Sequence, residues 1–101
     1  MQMVSKVSRG TPEKTMERIS LVLAVLKEAK QIHMRGLAKV LDVNPLTVNK
    51  IIENYLKPFV DFEYIQQIGS RVKIIRLKPG RENLALEEVL RYSELKKKIK
   101  G

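Results

Sequence analysis

The stretch MRGLAKVLDVNPLTVNKIIENY, residues 34–55, contains two helical patterns separated by a proline. A proline inside a helix costs about 3 kcal/mol and disfavours helical geometry in the residue before it. The stretch therefore predicts two short helices set at an angle rather than one longer helix. The apolar positions that define the two patterns are Met34, Leu37 and Leu41 before Pro45, and Leu46 or Val48, Ile51, Ile52 and Tyr55 after it.

The sequence DVNP explains where the first of these helices ends and the second begins. Asparagine is a favourable helix N-cap, so Asn44 suits the start of a helix. Pro45 then falls at the first helical position, where its missing N–H does no harm. We expect one helix over about 34–41 and a second over about 45–56, which Lys57-Pro58 ends.

A longer helix is predicted upstream, over residues 11–30. Thr11 is a good N-cap and Pro12 fits the first helical position, while Glu13 favours the positive end of the helix. The apolar face that we expect to be buried comprises Met16, Ile19, Val22, Leu23 and Leu26, widened by Leu21 and Val25. The short segment QIHM, which follows, has room for a few extended residues.

Downstream of residue 60 the apolar period changes from helical to alternating. β-branched residues on both sides of Gly69-Ser70 predict a β-hairpin, and the segment KPG closes it. Residues 81–100 then predict a final helix of roughly five turns. The order is helix, helix, helix, hairpin, helix, which defines an α+β fold.

Composition and charge narrow the possible functions. The chain has 101 residues, no cysteine and a formal net charge of +9, which favours a polyanionic partner, nucleic acid before an anionic membrane surface. Its longest apolar run, residues 21–26, is too short to span a membrane, and the first residues lack the apolar core of a signal peptide. We expect a cytoplasmic, nucleoid-associated protein.

Chemistry at a catalytic or metal centre has no support in the sequence. The one histidine, His33, lacks companion ligands at metal-binding spacing, so we interpret it as a structural residue near the start of the second helix. No phosphate-binding glycine loop and no Ser/His/Asp set is present. We therefore expect no enzyme activity, no cofactor, no metal and no small-molecule ligand.

With these elements in order, the chain resembles the winged helix-turn-helix domains of MarR- and ArsR-like regulators and of small archaeal DNA-binding proteins. Ala38 stands where the pattern asks for a small residue at the helix crossing, and Asp42 stands where it usually has glycine. The resemblance implies a three-helix core, a hairpin wing and a long C-terminal dimerisation helix. The flanking apolar positions of the pattern are Leu37, Leu41, Val43, Val48 and Ile51.

That resemblance divides the chain into a flexible basic arm (1–10), a winged helix-turn-helix domain (11–80) and a dimerisation helix (81–101). It implies that the helix over 45–56 enters a DNA major groove, about 12 Å wide, and that the wing, about 63–77, contacts the backbone or the minor groove. The expected DNA-contacting residues are Arg35, Lys39, Asn44, Leu46, Thr47, Asn49, Lys50, Asn54, Gln67, Ser70, Arg71 and Lys73.

The last helix has a wider apolar arc than packing on a small domain requires, which predicts a two-fold symmetric homodimer. The basic run at residues 96–100 is better explained as a charged helix end than as a binding tail. The residues expected at the dimer interface are Leu86, Val89, Leu90, Tyr92, Leu95 and Ile99.

The function expected from this resemblance is sequence-specific binding of double-stranded DNA by a homodimeric transcription regulator. Two alternatives stay open. One is a chromatin-architecture protein with little sequence preference, which the net charge also suits. The other is a winged helix that binds a protein within a larger assembly.

Overall fold

The computed structural model describes residues 12–100, apart from the side chains of Gln67, Lys97, Ile99 and Lys100. Within that range the chain is an α+β fold with four helices and a three-stranded antiparallel sheet. The predicted N-terminal arm (1–10) and the predicted cap Thr11 lie outside the described residues. The elements are α1 (Glu13–Ala29), β1 (Ile32–His33), α2 (Met34–Leu41), α3 (Pro45–Ile51), β2 (Val60–Gln67), β3 (Ser70–Leu77) and α4 (Leu86–Lys100).

Helix α1 begins and ends close to the predicted positions. Pro12 precedes the first helical residue rather than occupying it, and its carbonyl accepts from the Met16 N–H at 3.0 Å. Lys30 ends the helix with φ 72°, and its N–H donates to the Leu26 carbonyl. Four of the predicted apolar positions are buried, whereas Leu21 is about half exposed.

The sheet has the strand order β1-β3-β2. The brief extended segment expected at QIHM is confirmed, because Ile32 and His33 pair with Ile75 and Ile74 of β3. The hairpin is also confirmed, but its turn is Ile68-Gly69 rather than Gly69-Ser70, with Gln67 paired to Ser70. Gly69 has φ 77°, a conformation that glycine adopts without a steric penalty, so it fits the second turn position.

The helix predicted over 45–56 is α-helical only as far as Ile51, and helical turns continue past residue 56. A π-helical turn over Ile52–Leu56 and a 3₁₀ turn over Lys57–Phe59 continue it to the start of β2. The prediction that Lys57-Pro58 ends the helix was therefore wrong by one turn. Proline is tolerated within the first turn of a helical segment, where no N–H is needed, and Pro58 lies there in the 3₁₀ turn. Ile52 and Leu56 are completely buried, so packing stabilises the irregular turns.

The last helix starts later than predicted, at Leu86 instead of residue 81. The chain first turns at Lys78–Arg81, with Gly80 at φ 88°, and the Leu84 N–H then donates to the Arg81 carbonyl. Ala85 precedes the helix, and its N–H donates to Glu88 Oε1 at 3.4 Å, which is one half of a capping box. Leu84 is buried but is not helical.

One apolar core joins all the helices to the sheet. Helix α1 packs against α2, α3, α4 and β3, and α4 also packs against the π-helical turn. Phe59 meets Tyr92 edge to face with ring centroids 5.6 Å apart. The buried apolar residues are Ile19, Val22, Leu23, Leu26, Leu37, Ala38, Leu41, Val48, Ile51, Ile52, Leu56, Phe59, Val60, Ile75, Leu84, Val89 and Leu90.

From Pro12 to Lys100, the chain contains no helix with the length and apolar character needed to cross a membrane.

Candidate nucleic-acid interface

The turn between α2 and α3 has the geometry that the sequence predicts. Asp42 adopts the left-handed conformation, φ 58° and ψ 47°, which aspartate tolerates better than most residues. The N–H groups of Asp42 and Val43 return to the carbonyls of Lys39 and Ala38 at 3.1 and 3.0 Å. This is a Schellman ending, in which the carbonyls of Ala38 and Lys39 at the end of α2 are satisfied.

Asn44 starts α3 as predicted. Its Oδ1 accepts from the Leu46 N–H at 2.7 Å, and its carbonyl accepts from the N–H groups of Thr47 and Val48. Pro45 occupies the first turn. The two caps leave only Asp42, Val43 and Asn44 between the helices, so the connection between α2 and α3 is short.

His33 has the structural role that the sequence predicts. It precedes α2, and its Nδ1 accepts from the Gly36 N–H at 2.9 Å. The side chain thus caps the helix as an asparagine would. A Cβ atom added at Gly36 would lie 3.0 Å from the imidazole Cε1, so the glycine makes room for the ring. In the part of the chain that the structure describes, no group of three His, Cys, Asp or Glu residues is placed to hold a metal ion.

A shallow open concavity of about 760 Å³ lies between α2 and the start of α3. It brings together three of the expected DNA-contacting residues, Arg35, Lys39 and Asn44. Arg35 and Lys39 are exposed, while the carboxylate of Asp42 lines the same surface. The concavity is therefore mixed in charge, with two cations against one anion.

The outward face of α3 is narrower than expected. Leu46 is 72% exposed and Lys50 is exposed, as is Asn54 in the π-helical turn that follows α3. These three side chains follow one another at four-residue spacing, so they form one stripe. Thr47 and Asn49, which we expected to be exposed, are half-buried, and Asn49 contacts Lys73 of the hairpin.

One contact links α3 to the hairpin. Lys73 of β3 donates from Nζ to Asn49 Oδ1 at 3.4 Å, and the same ammonium lies 4.3 Å from the ring centroid of Phe62. The sequence assigns Asn49 to base reading and Lys73 to the DNA backbone, as separate tasks. In the structure the two side chains are hydrogen-bonded neighbours.

On the hairpin, cationic side chains lie against aromatic rings. The guanidinium of Arg71 lies 4.7 Å from the ring centroid of Tyr64, and Lys73 lies 5.9 Å from the same centroid. Ser70 and Arg71 are exposed as expected, whereas the side chain of Gln67 lies outside the described residues. Sequence reasoning missed Phe62 and Tyr64. The shifted turn explains this, because a turn at Gly69-Ser70 would place Tyr64 opposite Ile75 instead of Lys73.

Two acidic residues, one in the π-helical turn after α3 and one on the other face of the hairpin, form ion pairs. Among the described residues the ion pairs are Glu53 with Lys57 at 3.2 Å and Glu63 with Arg76 at 3.0 Å. Neither pair uses a cation that the sequence assigns to DNA. The pairs therefore neutralise carboxylates while leaving the positive charge of Lys50, Arg71 and Lys73 in place.

The structure corrects the predicted dimer face of α4. Val89 and Leu90 are buried in the core of the same chain, at 0% and 5% exposure, and Leu86 is half-buried against that core. The prediction counted as surplus the apolar residues that pack on the core of this chain. Tyr92 and Leu95 are exposed at 40% and 51%, and the side chain of Ile99 lies outside the described residues.

No family model matches the chain, and neither the curated proteins nor the solved structures include one with significant similarity.

Proposed function

We propose that the protein is a winged helix-turn-helix, sequence-specific regulator of transcription that binds double-stranded DNA as a homodimer. The observation that carries this proposal is the contact between Lys73 Nζ and Asn49 Oδ1. It makes the outer side of α3 and the hairpin into one continuous surface. In this proposal α3 enters the major groove while the hairpin follows the adjacent backbone or minor groove.

The charge of this surface supports a polyanionic partner. The chain carries a net charge of +9. The exposed cations Lys50 and Arg71 lie on α3 and the hairpin, and Arg35 and Lys39 lie on the adjacent helix α2. The carboxylate of Glu53 is engaged in an ion pair with Lys57, and Glu63 lies on the opposite face of the hairpin from Lys73. A phosphate backbone would therefore meet mostly positive charge.

The shape of the surface supports a duplex groove. The exposed stripe Leu46, Lys50 and Asn54 runs along one side of a helix whose opposite side, with Val48 and Ile52, is buried. A helix that presents one ridge of side chains fits a major groove about 12 Å wide. Leucine can contact a thymine methyl, lysine a guanine and asparagine an adenine.

Selection of bound sites from random duplex DNA tests the proposal directly. A dimer that makes roughly 6–10 phosphate contacts should lose about 10³–10⁵ in affinity between 50 and 200 mM salt. A palindromic winning sequence would support the two-fold symmetric regulator. A salt-independent profile, or no binding at low salt, would contradict the proposal and favour a protein-binding module.

Two substitutions separate base reading from backbone contact. Lys50→Ala should reduce the ratio of specific to random-sequence affinity, whereas Arg71→Ala should weaken both kinds of DNA equally. Lys73 and Asn49 are unsuitable for this purpose because they touch each other. Lys14→Ala, an exposed lysine on α1, is the matched control and should change neither affinity.

A second candidate function is DNA packaging with little sequence preference. The observation that favours it is the small number of exposed polar groups on α3, since Asn49 is half-buried and its Oδ1 already accepts from Lys73. The measured ratio of specific to non-specific affinity decides between the two. A ratio well below about 10³ would favour the packaging protein.

The proposed homodimer interface uses the apolar residues of α4 that are exposed. Leu95 is half exposed, and Tyr92 exposes one side while its ring meets Phe59. Two recognition helices related by a two-fold axis would lie about 34 Å apart and demand an inverted repeat. Light scattering at micromolar concentration should report a dimer, and Leu95→Glu should give a folded monomer with weaker DNA binding. If the unmodified protein is monomeric, the proposed dimer is contradicted but the proposed DNA binding is not.

A further inference from the structure

The tip of the β2–β3 hairpin carries an apolar side chain that does not pack against the rest of the chain. Ile68 is completely exposed, whereas the other large exposed apolar residues keep part of their surface against the chain. The turn itself requires glycine at position 69, where φ is 77°, but it does not require isoleucine at position 68. An isoleucine held away from the core in this way is available to a partner.

The strands below that tip become cationic on one face. Near the root of the hairpin this face contributes Val60 and Ile75 to the core. Toward the tip Tyr64 pairs with Lys73 and Gln66 pairs with Arg71, so the same face carries the cations Lys73 and Arg71. The guanidinium of Arg71 lies 4.7 Å from the Tyr64 ring centroid, so its position on the strand is restrained.

An apolar side chain at the hairpin tip, with cationic side chains on the strands behind it, fits a partner whose surface is anionic and whose interior is apolar. Duplex DNA has this order of chemistry, with phosphates at the rim of the minor groove and stacked base pairs at its floor. Proteins that bend DNA insert isoleucine, leucine, methionine or phenylalanine side chains between base pairs from the minor groove. An anionic membrane has a similar order, but one isoleucine is too small an anchor for stable membrane binding.

We propose that Ile68 is a wedge that enters the minor groove and partly separates two stacked base pairs, while Arg71 holds a flanking phosphate. This inference rests on the proposed binding of duplex DNA by α3 and the hairpin. The step that is separated should be pyrimidine–purine, because TA and CA/TG steps unstack most easily. The bound duplex should be bent by an amount within the range of about 20–90° that such wedges produce.

The test measures bending and unstacking on DNA that the protein demonstrably binds. A duplex carrying the selected site is labelled at both ends for energy transfer, and 2-aminopurine replaces an adenine at the candidate step. Unmodified protein should shorten the end-to-end distance and raise the 2-aminopurine fluorescence. Ile68→Ala should abolish both signals while DNA is still bound, and Ile68→Leu should retain them.

The controls distinguish failure of the wedge from failure of DNA binding. Leu46→Ala removes an exposed leucine from α3 and should weaken binding without changing the bend at saturation. Melting curves should be unchanged for Ile68→Ala, since Ile68 buries no surface. If Ile68→Ala bends and unstacks DNA as the unmodified protein does, the wedge is wrong while the proposed function stands.

Two further results would overturn the inference. If the unmodified protein binds no duplex at low salt, the proposed function fails and the wedge fails with it. If the protein instead binds vesicles of phosphatidylserine and phosphatidylcholine, and Ile68→Ala abolishes that binding, the tip is a membrane contact rather than a DNA wedge.

Discussion

The α2–α3 turn and the C-terminal helix α4 differ in what specifies them. In the turn, Asp42 and Asn44 adopt the expected conformations, and each uses hydrogen bonds to residues within five positions along the chain. In α4, the start was misplaced by five residues and two supposed interface residues, Val89 and Leu90, are buried in the core. Local hydrogen bonding specifies the first region, whereas distant packing specifies the second.

The largest expected effect distinguishes the two sides of α4. Leu90→Ala should lower the free energy of unfolding by about 2–5 kcal/mol, because Leu90 is 5% exposed and a cavity would remain. Leu95→Ala should change it by less than about 0.5 kcal/mol in dilute, monomeric protein. Denaturant unfolding across a concentration series measures both. Equal effects of the two changes would mean that α4 packs with a different face.

The next effect concerns the crossing of α2 and α3. Ala38 is buried at 3% exposure, so Ala38→Leu should overpack the core and cost about 1–3 kcal/mol of stability. Val40→Leu, on the exposed side of the same helix, is the control and should stay within about 0.5 kcal/mol. An unchanged melting temperature for Ala38→Leu would show that the two helices cross elsewhere.

A smaller effect on stability is expected when the helix cap in either region is removed. Asn44→Ala removes a short side-chain bond of 2.7 Å and should cost about 0.5–2 kcal/mol, while Asn44→Asp should preserve the cap. Glu88→Ala removes only the longer 3.4 Å bond to the Ala85 N–H, so a loss of a few tenths of a kcal/mol is expected. Thermal unfolding of the three variants gives the order, and a larger loss for Glu88→Ala would mean that the cap of α4 stabilises the fold more than the cap of α3.

The smallest expected effect concerns the link between α3 and the hairpin. A double-mutant cycle of Asn49→Ala and Lys73→Ala should give a coupling energy below about 1 kcal/mol, because the bond is 3.4 Å long and only partly buried. The cycle of Asn49→Ala with Arg71→Ala serves as the control and should give no coupling, since Arg71 stacks on Tyr64. Coupling in both cycles would indicate that the whole hairpin shifts.

The candidate site was predictable only in part. The caps, the helix break and the exposure of Leu46, Lys50 and Arg71 follow from residue types and helical spacing. The contact between Asn49 and Lys73 does not, because it joins residues 24 positions apart. The turn at Ile68-Gly69 also escaped prediction, since a shift by one position leaves the alternation of β2 and β3 unchanged.

By itself the sequence determined the order of the elements, the positions of Asp42, Asn44 and His33, and the excess of positive charge. Each of these depends on a residue's own geometry or on neighbours within one helical turn. Tertiary structure alone decided that Leu90 belongs to the core, that helical turns continue past Pro58, and that Lys73 lies on Phe62 beside Asn49. A side chain's burial depends on which distant element lies above it, and spacing along the chain does not contain that information.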